Sequence, residues 1–543
     1  MVILVLLTAF AAAISPGEDP ENGQIALMMG LEEEDRGVGV SALISIEDAW
    51  AIEDQREEAQ EPLVSRMYNG EAILGCDAQS LTFYCTLGLD NGNEWPQLQL
   101  TACGAEQLQV AWVDDYGYDL CGEAVAEGWR YELLAYTDTA YAYIGVVFTG
   151  LPIVTLHTDD QAGIVKETDT GVDVHIASWG DALYSRAQIH RRGGDGYVGV
   201  DKPSYRFEFL GIDLRGNLQS AARSVLGMEA DTDWLLISNN SDVSAVRNHL
   251  CWQLWKEWEP DRQLAELDSR LVEVFLNDGY MGMYQLMQYV DPQEELEATG
   301  GNPQTDVCIR RIVTNNRGDR PREDRSQADY HEVELRYAPE GMTADEAFDV
   351  FDRYTQIELG WEEMDSEAFA DLVLSCFDID EVLSYYLFVQ GYNLRDNVLN
   401  NLYIWALRQS DGTYRYAFSP WDMDRSLSVT SEEEKAENDD FCLHMQFVHR
   451  MLTLDVGGCR ERLWAMWQEK RSGPLSDDAL YQRIQETEDM VNASGAYLRE
   501  SERWRGGAQK LNLAEMSANM IDIENWVEFM LRENWPVGDM QTQ

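Results

Sequence analysis

Asn393-Leu-Arg-Asp-Asn-Val-Leu-Asn-Asn-Leu-Tyr-Ile-Trp405, closed further on by Ser419-Pro-Trp-Asp-Met-Asp-Arg425, is the stretch whose reading decides the fold. Leu402, Ile404 and Ala406 alternate with Tyr403, Trp405 and Leu407, the pattern of a mostly buried strand. Asp411-Gly412 is a two-residue turn signal, after which Tyr414, Tyr416 and Phe418 alternate back. Antiparallel strands lie about 4.8 Å apart, so the residues that enter such a hairpin finish beside those that leave it. Asp396 and Asn401 are therefore expected next to Asp422 and Asp424.

A base-like carboxylate, an amide five residues on and a carboxylate after the return strand is the order in which protein kinases set a catalytic Asp and two Mg²⁺ ligands. On this reading Asp396 accepts the proton of the attacking hydroxyl. Asn401 and Asp422 hold Mg²⁺ (or Mn²⁺), whose preference for hard oxygen suits an amide and a carboxylate. Asp424 is a second ligand or a structural partner of Arg425. In a chain with 98 acidic residues an Asp-x₄-Asn spacing arises readily by chance; the hairpin gives it weight.

Phosphoryl transfer also needs a cation on the phosphates. Only Lys166, Lys202 and Lys256 precede the hairpin as lysines. Lys202 follows a glycine-rich turn and enters a strand, from which it is expected to reach back to phosphates. Arg206 falls on the same face four residues later and is the second choice. Arg192 and Gly193 flank the turn, and Arg192 adds charge there. Gly194-Asp-Gly196-Tyr-Val-Gly199 spells Gly-x-Gly-x-x-Gly, but the lysine lies closer than in ordinary kinases. What survives is the physical point that glycines let backbone amides approach phosphate oxygens.

Four blocks in order, spanning roughly residues 155 to 470, resemble the CotH family, the atypical kinases of bacterial spore coats and their secreted relatives. They are Arg192-Gly193 before Lys202-Pro-Ser-Tyr-Arg-Phe-Glu-Phe, Trp234-Leu-Leu-Ile-Ser-Asn-Asn-Ser-Asp leading into Val246-Arg-Asn-His-Leu, Val272 to Tyr284 around Asn277-Asp278-Gly279, and Asn401-Leu-Tyr-Ile-Trp with Pro420-Trp-Asp-Met-Asp-Arg. The resemblance implies an atypical kinase-like fold, ATP and a divalent cation as cofactors, and a Ser or Thr of a coat or surface protein as acceptor. It also implies that Asp242, Arg247 and Asn248 shape the nucleotide cleft, although a helix cap with an internal ion pair explains them equally well. Gln288 stands where the family usually carries a glutamate, a departure that weakens activity if that glutamate orients the lysine or a metal. No His precedes Arg395-Asp396 as in ordinary kinases.

The net charge of −58 over 543 residues repels phosphate backbones and anionic headgroups, which argues against nucleic-acid and membrane-surface binding. It suits a protein substrate with a basic, Ser-rich segment, or simply solubility. Val2 to Ile14 reads as the core of a truncated signal peptide lacking its basic start, which points to a secreted, cell-envelope or spore-coat location. No other stretch is long and apolar enough to span a bilayer. Cys76, Cys85, Cys103 and Cys121 either form two disulfides or stay reduced and buried; the other five cysteines read as lone thiols, and zinc spacing is absent.

The expected class is α+β. Residues 15–70 read as an acidic linker, 71–151 as a small β-rich domain, 152–470 as the kinase-like domain and 471–543 as a helical extension. Asp242 is expected to cap a helix carrying Val243, Val246, Leu250 and Leu254, and Ser431 to Asp440 reads as an acidic surface loop. Two other functions remain: a catalytically weak kinase-like module kept for surface or coat assembly, and a glycoside hydrolase using paired carboxylates. A metal-binding amide within the hairpin argues against the last.

Overall fold

The computed structural model describes residues 37–87, 95–104, 107–114, 122–166, 168–179, 181–193, 202–212, 217–258, 264, 267–311, 333–394, 396–398, 400–427 and 445–537. The signal-peptide core, the Gly194–Gly199 turn, Cys121 and the Ser431–Asp440 run lie outside them. Mixed helices and sheets give an α+β protein. The chain condenses into two units. One comprises the described residues up to Asn240 with Ser269–Gln288 and Glu488–Leu511; the other comprises Ser241–Asp268, Tyr289–Thr487 and the described residues from Asn512.

The first unit is already folded within the stretch read as a linker. Strands Ser41–Ser45 and Val64–Asn69 and helix Ile46–Glu53 lie there. The reason is that apolar residues interrupt the acidic runs: Ala49, Val64, Met67 and Tyr68 are all buried. Ser45 caps the helix by accepting from the Asp48 amide. Two sheets built from strands up to Ala140–Thr149 close over a core that includes Met67, Phe83, Leu100, Leu133 and Phe148. Cys76, Cys85 and Cys103 are free thiols.

Behind these sheets the chain forms a closed barrel. Going round it, the strands are Ile153–Thr158, Thr170–Ser178, Asp181–Arg192, Ser204–Ile212, Asp233–Ile237, Gly279–Gln288 and Ser269–Leu276. It closes because the long Asp181–Arg192 strand pairs on both sides and Ile153–Leu156 pairs in parallel with Glu273–Leu276. Alternate residues such as Val154, Leu156, Val172, Val174, Phe207, Phe209, Val272 and Val274 fill the interior. Asn277 and Asp278, at φ +49° and +58°, make the two-residue turn between Leu276 and Gly279.

The second unit is built on a four-stranded antiparallel sheet in the order Val333–Tyr337, Val307–Arg311, Leu402–Arg408, Tyr414–Pro420. Helix Ile379–Gly391 is buried over nearly its whole circumference, as an all-round apolar helix must be. Asp378 caps it by accepting from Asp380 N and Glu381 N. Helices Gln446–Leu454, Cys459–Arg471 and Ala514–Asn534 complete this unit. The central hairpin has the expected strands but a longer turn. Asp411 Oδ1 accepts from both Thr413 N (3.0 Å) and Thr413 Oγ1 (2.6 Å), and Gln409 N donates to Thr413 O (2.7 Å). That side-chain bonding stabilises a three-residue loop ending in Gly412 at φ +86°. Among the described residues no helix is long and apolar enough to cross a membrane.

Candidate active site

At the open end of the hairpin Leu402 faces Pro420, and the next step of the ladder is Trp421 N donating to Asn401 O at 2.9 Å. Asn401 and Asp422 are thus neighbours across the strand pair, and Asn401 Nδ2 reaches the Asp422 carbonyl at 3.5 Å. Both residues are left-handed, at φ +49° and +52°. Asn and Asp tolerate that conformation better than other side chains. Asp396 opens a short 3₁₀ turn, Asp396–Val398, about one-third exposed, with Arg425 Nε 3.8 Å from its Oδ2.

Asn397, which the sequence reading passed over, ties these pieces together. Its buried amide donates to Asn401 O (2.9 Å) and Trp421 O (2.7 Å), and its own carbonyl accepts from Tyr385 OH (2.7 Å). One side chain therefore fixes Asp396's turn to both ends of the hairpin. An Asn flanked by Asp396 and a strand entry was the available signal, but spacing alone does not say which of several asparagines turns inward.

Asp424 lies within the fields of Asp422, Asp242 and Asp396. Burial, then the Asp422 charge, then Asp242 and Asp396 push the Asp424 carboxyl up to about 7, against the hydrogen bond it accepts from Ser241 Oγ. Among the described residues no group of three or more His, Cys, Asp or Glu side chains forms a metal cage. The donor set at the hairpin is two carboxylates and one amide. That fits Mg²⁺ or Mn²⁺ held partly by substrate phosphates, since Mg²⁺ is usually bound through one or two carboxylates and keeps its other positions for water or phosphate.

Asp242, Arg247 and Asn248 are buried, and most of their polar atoms bond within the protein. Asp242 accepts from Ser244 N (2.9 Å), Val246 N (3.0 Å) and Arg247 N (2.9 Å), and pairs with the Arg247 guanidinium. It caps helix Arg247–Trp258, which starts later than the apolar spacing suggests and leaves Val243 exposed. Asn248 is fully buried and its Oδ1 accepts from Met423 N at 2.9 Å. Of the three, Asn248 reaches the Asp422–Asp424 loop, through Met423 N.

Lys202 is also buried, with only 1% of its side chain exposed. Its Nζ donates to Glu500 Oε1 (2.7 Å) and Met283 O (2.6 Å) and sits 4.7 Å from the centre of the Tyr284 ring. Desolvation pulls the amine down to about 8, with Glu500 opposing the fall. Arg206 does not share this environment; it pairs with Asp233 at 2.7 Å. Arg192 ends its strand opposite Ser204, and Gly193 follows at φ +123°.

Glu500 is the residue that sequence reasoning missed. It lies on helix Ala496–Trp504, 298 positions from Lys202. Its other oxygen accepts from Met283 N at 2.9 Å. Gly282, at φ +94°, has no room for a Cβ beside the Glu500 carboxylate and Trp504. The signal was a carboxylate within the helical stripe of Ala496, Tyr497 and Trp504, where an apolar residue is expected. Gln288, half-buried and donating to Glu229 O (3.4 Å), does not deprive Lys202 of a carboxylate partner, because Glu500 supplies one. Removing one member of a buried pair strands the other charge. Glu500→Leu is therefore expected to lose about 3 kcal/mol of stability in denaturant unfolding. The double change Lys202→Met with Glu500→Leu should recover most of it.

One unit thus carries a barrel with a buried lysine–glutamate pair, and the other carries a hairpin with Asp396, Asn401 and Asp422 at its open end. The family model described as CotH kinase protein matches residues 189–533, most of the chain, and the chain belongs to that family. No curated protein matches it.

Proposed function

We propose that this chain is an atypical kinase that transfers the γ-phosphoryl group of ATP to a Ser or Thr hydroxyl of a coat or surface protein, outside the cell or in its envelope. The observation that supports the reading is the hairpin ladder, in which Trp421 N bonds Asn401 O and Asn401 Nδ2 reaches the Asp422 carbonyl, so that Asn401 and Asp422 stand side by side. Asp396 accepts the acceptor's proton as its oxygen bonds to phosphorus, while the bond to the bridging oxygen breaks and ADP leaves with the electron pair. Asn401 and Asp422, with Asp424, would hold Mg²⁺ or Mn²⁺, which supplies charge neutralisation on the phosphates. Lys202, oriented by Glu500, adds positive charge at the phosphates, and Arg192 and Gly193 border the same phosphate-binding segment. The surplus of acidic over basic residues, 98 against 40, supports an acceptor segment that is basic.

The test is phosphate incorporation by the purified chain with Mg²⁺-ATP and a basic Ser-rich peptide, alongside calorimetric nucleotide binding. Incorporation is expected; absence of both binding and transfer would leave an assembly module with a kinase-like fold.

The Lys202 amine gives this proposal a pH signature. Its folded pKa of about 8 lies below the ordinary value of 10.5, so between those values the folded state has lost a proton that the unfolded chain keeps. Stability contributed by this group rises with pH across that window, whereas its charge at the phosphates is lost. Nucleotide affinity is expected to fall from pH 7 to pH 9.5 without a matching fall in Tm, and Lys202→Ala should flatten that dependence.

A further inference from the structure

Met423, the residue between Asp422 and Asp424, is fully buried and is held from beneath by both of its backbone polar atoms. Its N–H donates to Asn248 Oδ1 at 2.9 Å. Its carbonyl accepts from Ser426 Oγ at 2.7 Å, and Ser426 Oγ accepts in turn from Cys251 Sγ at 3.0 Å. Asn248, Cys251 and Ser426 have no exposed surface. Asn248 and Cys251 sit three residues apart on helix Arg247–Trp258, hence on one face of it.

Like charges on Asp422 and Asp424 repel, and a loop free to relax would let the two carboxylates swing apart. The chain cannot do so cheaply here. Asp422 and Leu427 bend the segment at φ +52° and +50°, Leu427 N donates to Tyr392 O at 2.9 Å, and Met423 is pinned between these bends.

We propose that Asn248, with the Cys251–Ser426 pair, is a positioning element that sets the separation of the Asp422 and Asp424 carboxylates for a divalent cation by holding Met423 at its N–H and its carbonyl. This rests on the reading of those two aspartates as metal ligands. The helix thereby acts on the cation without touching it. Groups that orient ligands in this way typically change metal affinity 10- to 100-fold when removed.

The experiment is an electron paramagnetic resonance titration of Mn²⁺ alone into the full chain. Asn248→Leu is expected to weaken Mn²⁺ affinity about tenfold or more. Cys251→Ala and Ser426→Ala should weaken it about threefold, and Cys251→Ser, which keeps a donor, should restore it. Leu254→Ala, buried on the same helix but supplying no hydrogen bond to Met423 or Ser426, should lower Tm and leave Mn²⁺ binding within about twofold. Parent-like Mn²⁺ affinity in Asn248→Leu, or an equal loss in Leu254→Ala, would overturn the positioning role while leaving the ligands intact. A parent chain that binds no Mn²⁺ would remove the ligand reading and this proposal with it.

Discussion

Asp396→Asn is expected to lower kcat for phosphate transfer by about a thousandfold while leaving the nucleotide dissociation constant within about twofold of the parent. General-base catalysis contributes roughly 10²- to 10⁴-fold, and an amide of the same shape cannot take the hydroxyl proton. The side chain is about one-third exposed, and Arg425 Nε lies 3.8 Å from its Oδ2. The backbone of its turn is held independently, by Asn400 N on Asp396 O (2.9 Å) and by Asn397. The fold should therefore survive the change, with Tm within about 1 °C. Single-turnover phosphate transfer and calorimetric nucleotide binding separate the two quantities. Equal losses in binding and turnover would mean that Asp396 organises the loop instead of accepting a proton.

Asp422→Asn should produce the opposite combination, loss of function with no loss of stability. Asn keeps the left-handed backbone at φ +52° accessible and removes one of the charges that push the Asp424 carboxyl up to about 7. Relief of that repulsion means Tm should hold or rise. On the proposed assignment a divalent cation would lose one of its two carboxylates, and transfer activity with Mg²⁺ should fall by more than about a hundredfold, a loss on the scale of a primary charge contact. Thermal unfolding with and without Mn²⁺ is the decisive readout: the parent should be stabilised by the ion and Asp422→Asn should not. Sites that stabilise charge for function commonly do so against the stability of the fold, and a purely structural Asp422 would show a lower Tm on substitution.

Local pattern carried the reading of the hairpin a long way. Alternation over Leu402–Leu407 and Tyr414–Phe418 contained both strands, although Leu402 to Ala406 are buried on both faces and no single core face could be read from it. The Asp411-Gly412 signal found the reversal but not its length, since Asp411 bonding to Thr413 competes with a two-residue turn. The strand Thr170–Ser178 escaped notice although Val172, Val174 and Ile176 alternate. Residues 38–69 were hidden by their acidic runs, whose charges face solvent while Val64, Met67 and Tyr68 turn inward. Lys202 was singled out for its place after a glycine-rich stretch, but its burial against Glu500 was not foreseen.

What the sequence by itself determined is the set of short-range relations: which residues alternate, which turn, and that Asp396, Asn401, Asp422 and Asp424 stand at the two ends of one hairpin. Those follow from backbone periodicity and from strand pairing over about twenty residues. Barrel closure by Asp181–Arg192 pairing on both sides, the meeting of Glu500 with Lys202 and the bonding of Met423 to Asn248 were decided only in the tertiary structure. Each joins positions far apart in the chain, where loop-closure entropy must be overcome by many cooperating contacts and no local pattern names the partner. A buried lysine needs a carboxylate, but which of 98 acidic residues supplies it depends on how a distant helix packs against the strand that carries Gly282 and Met283.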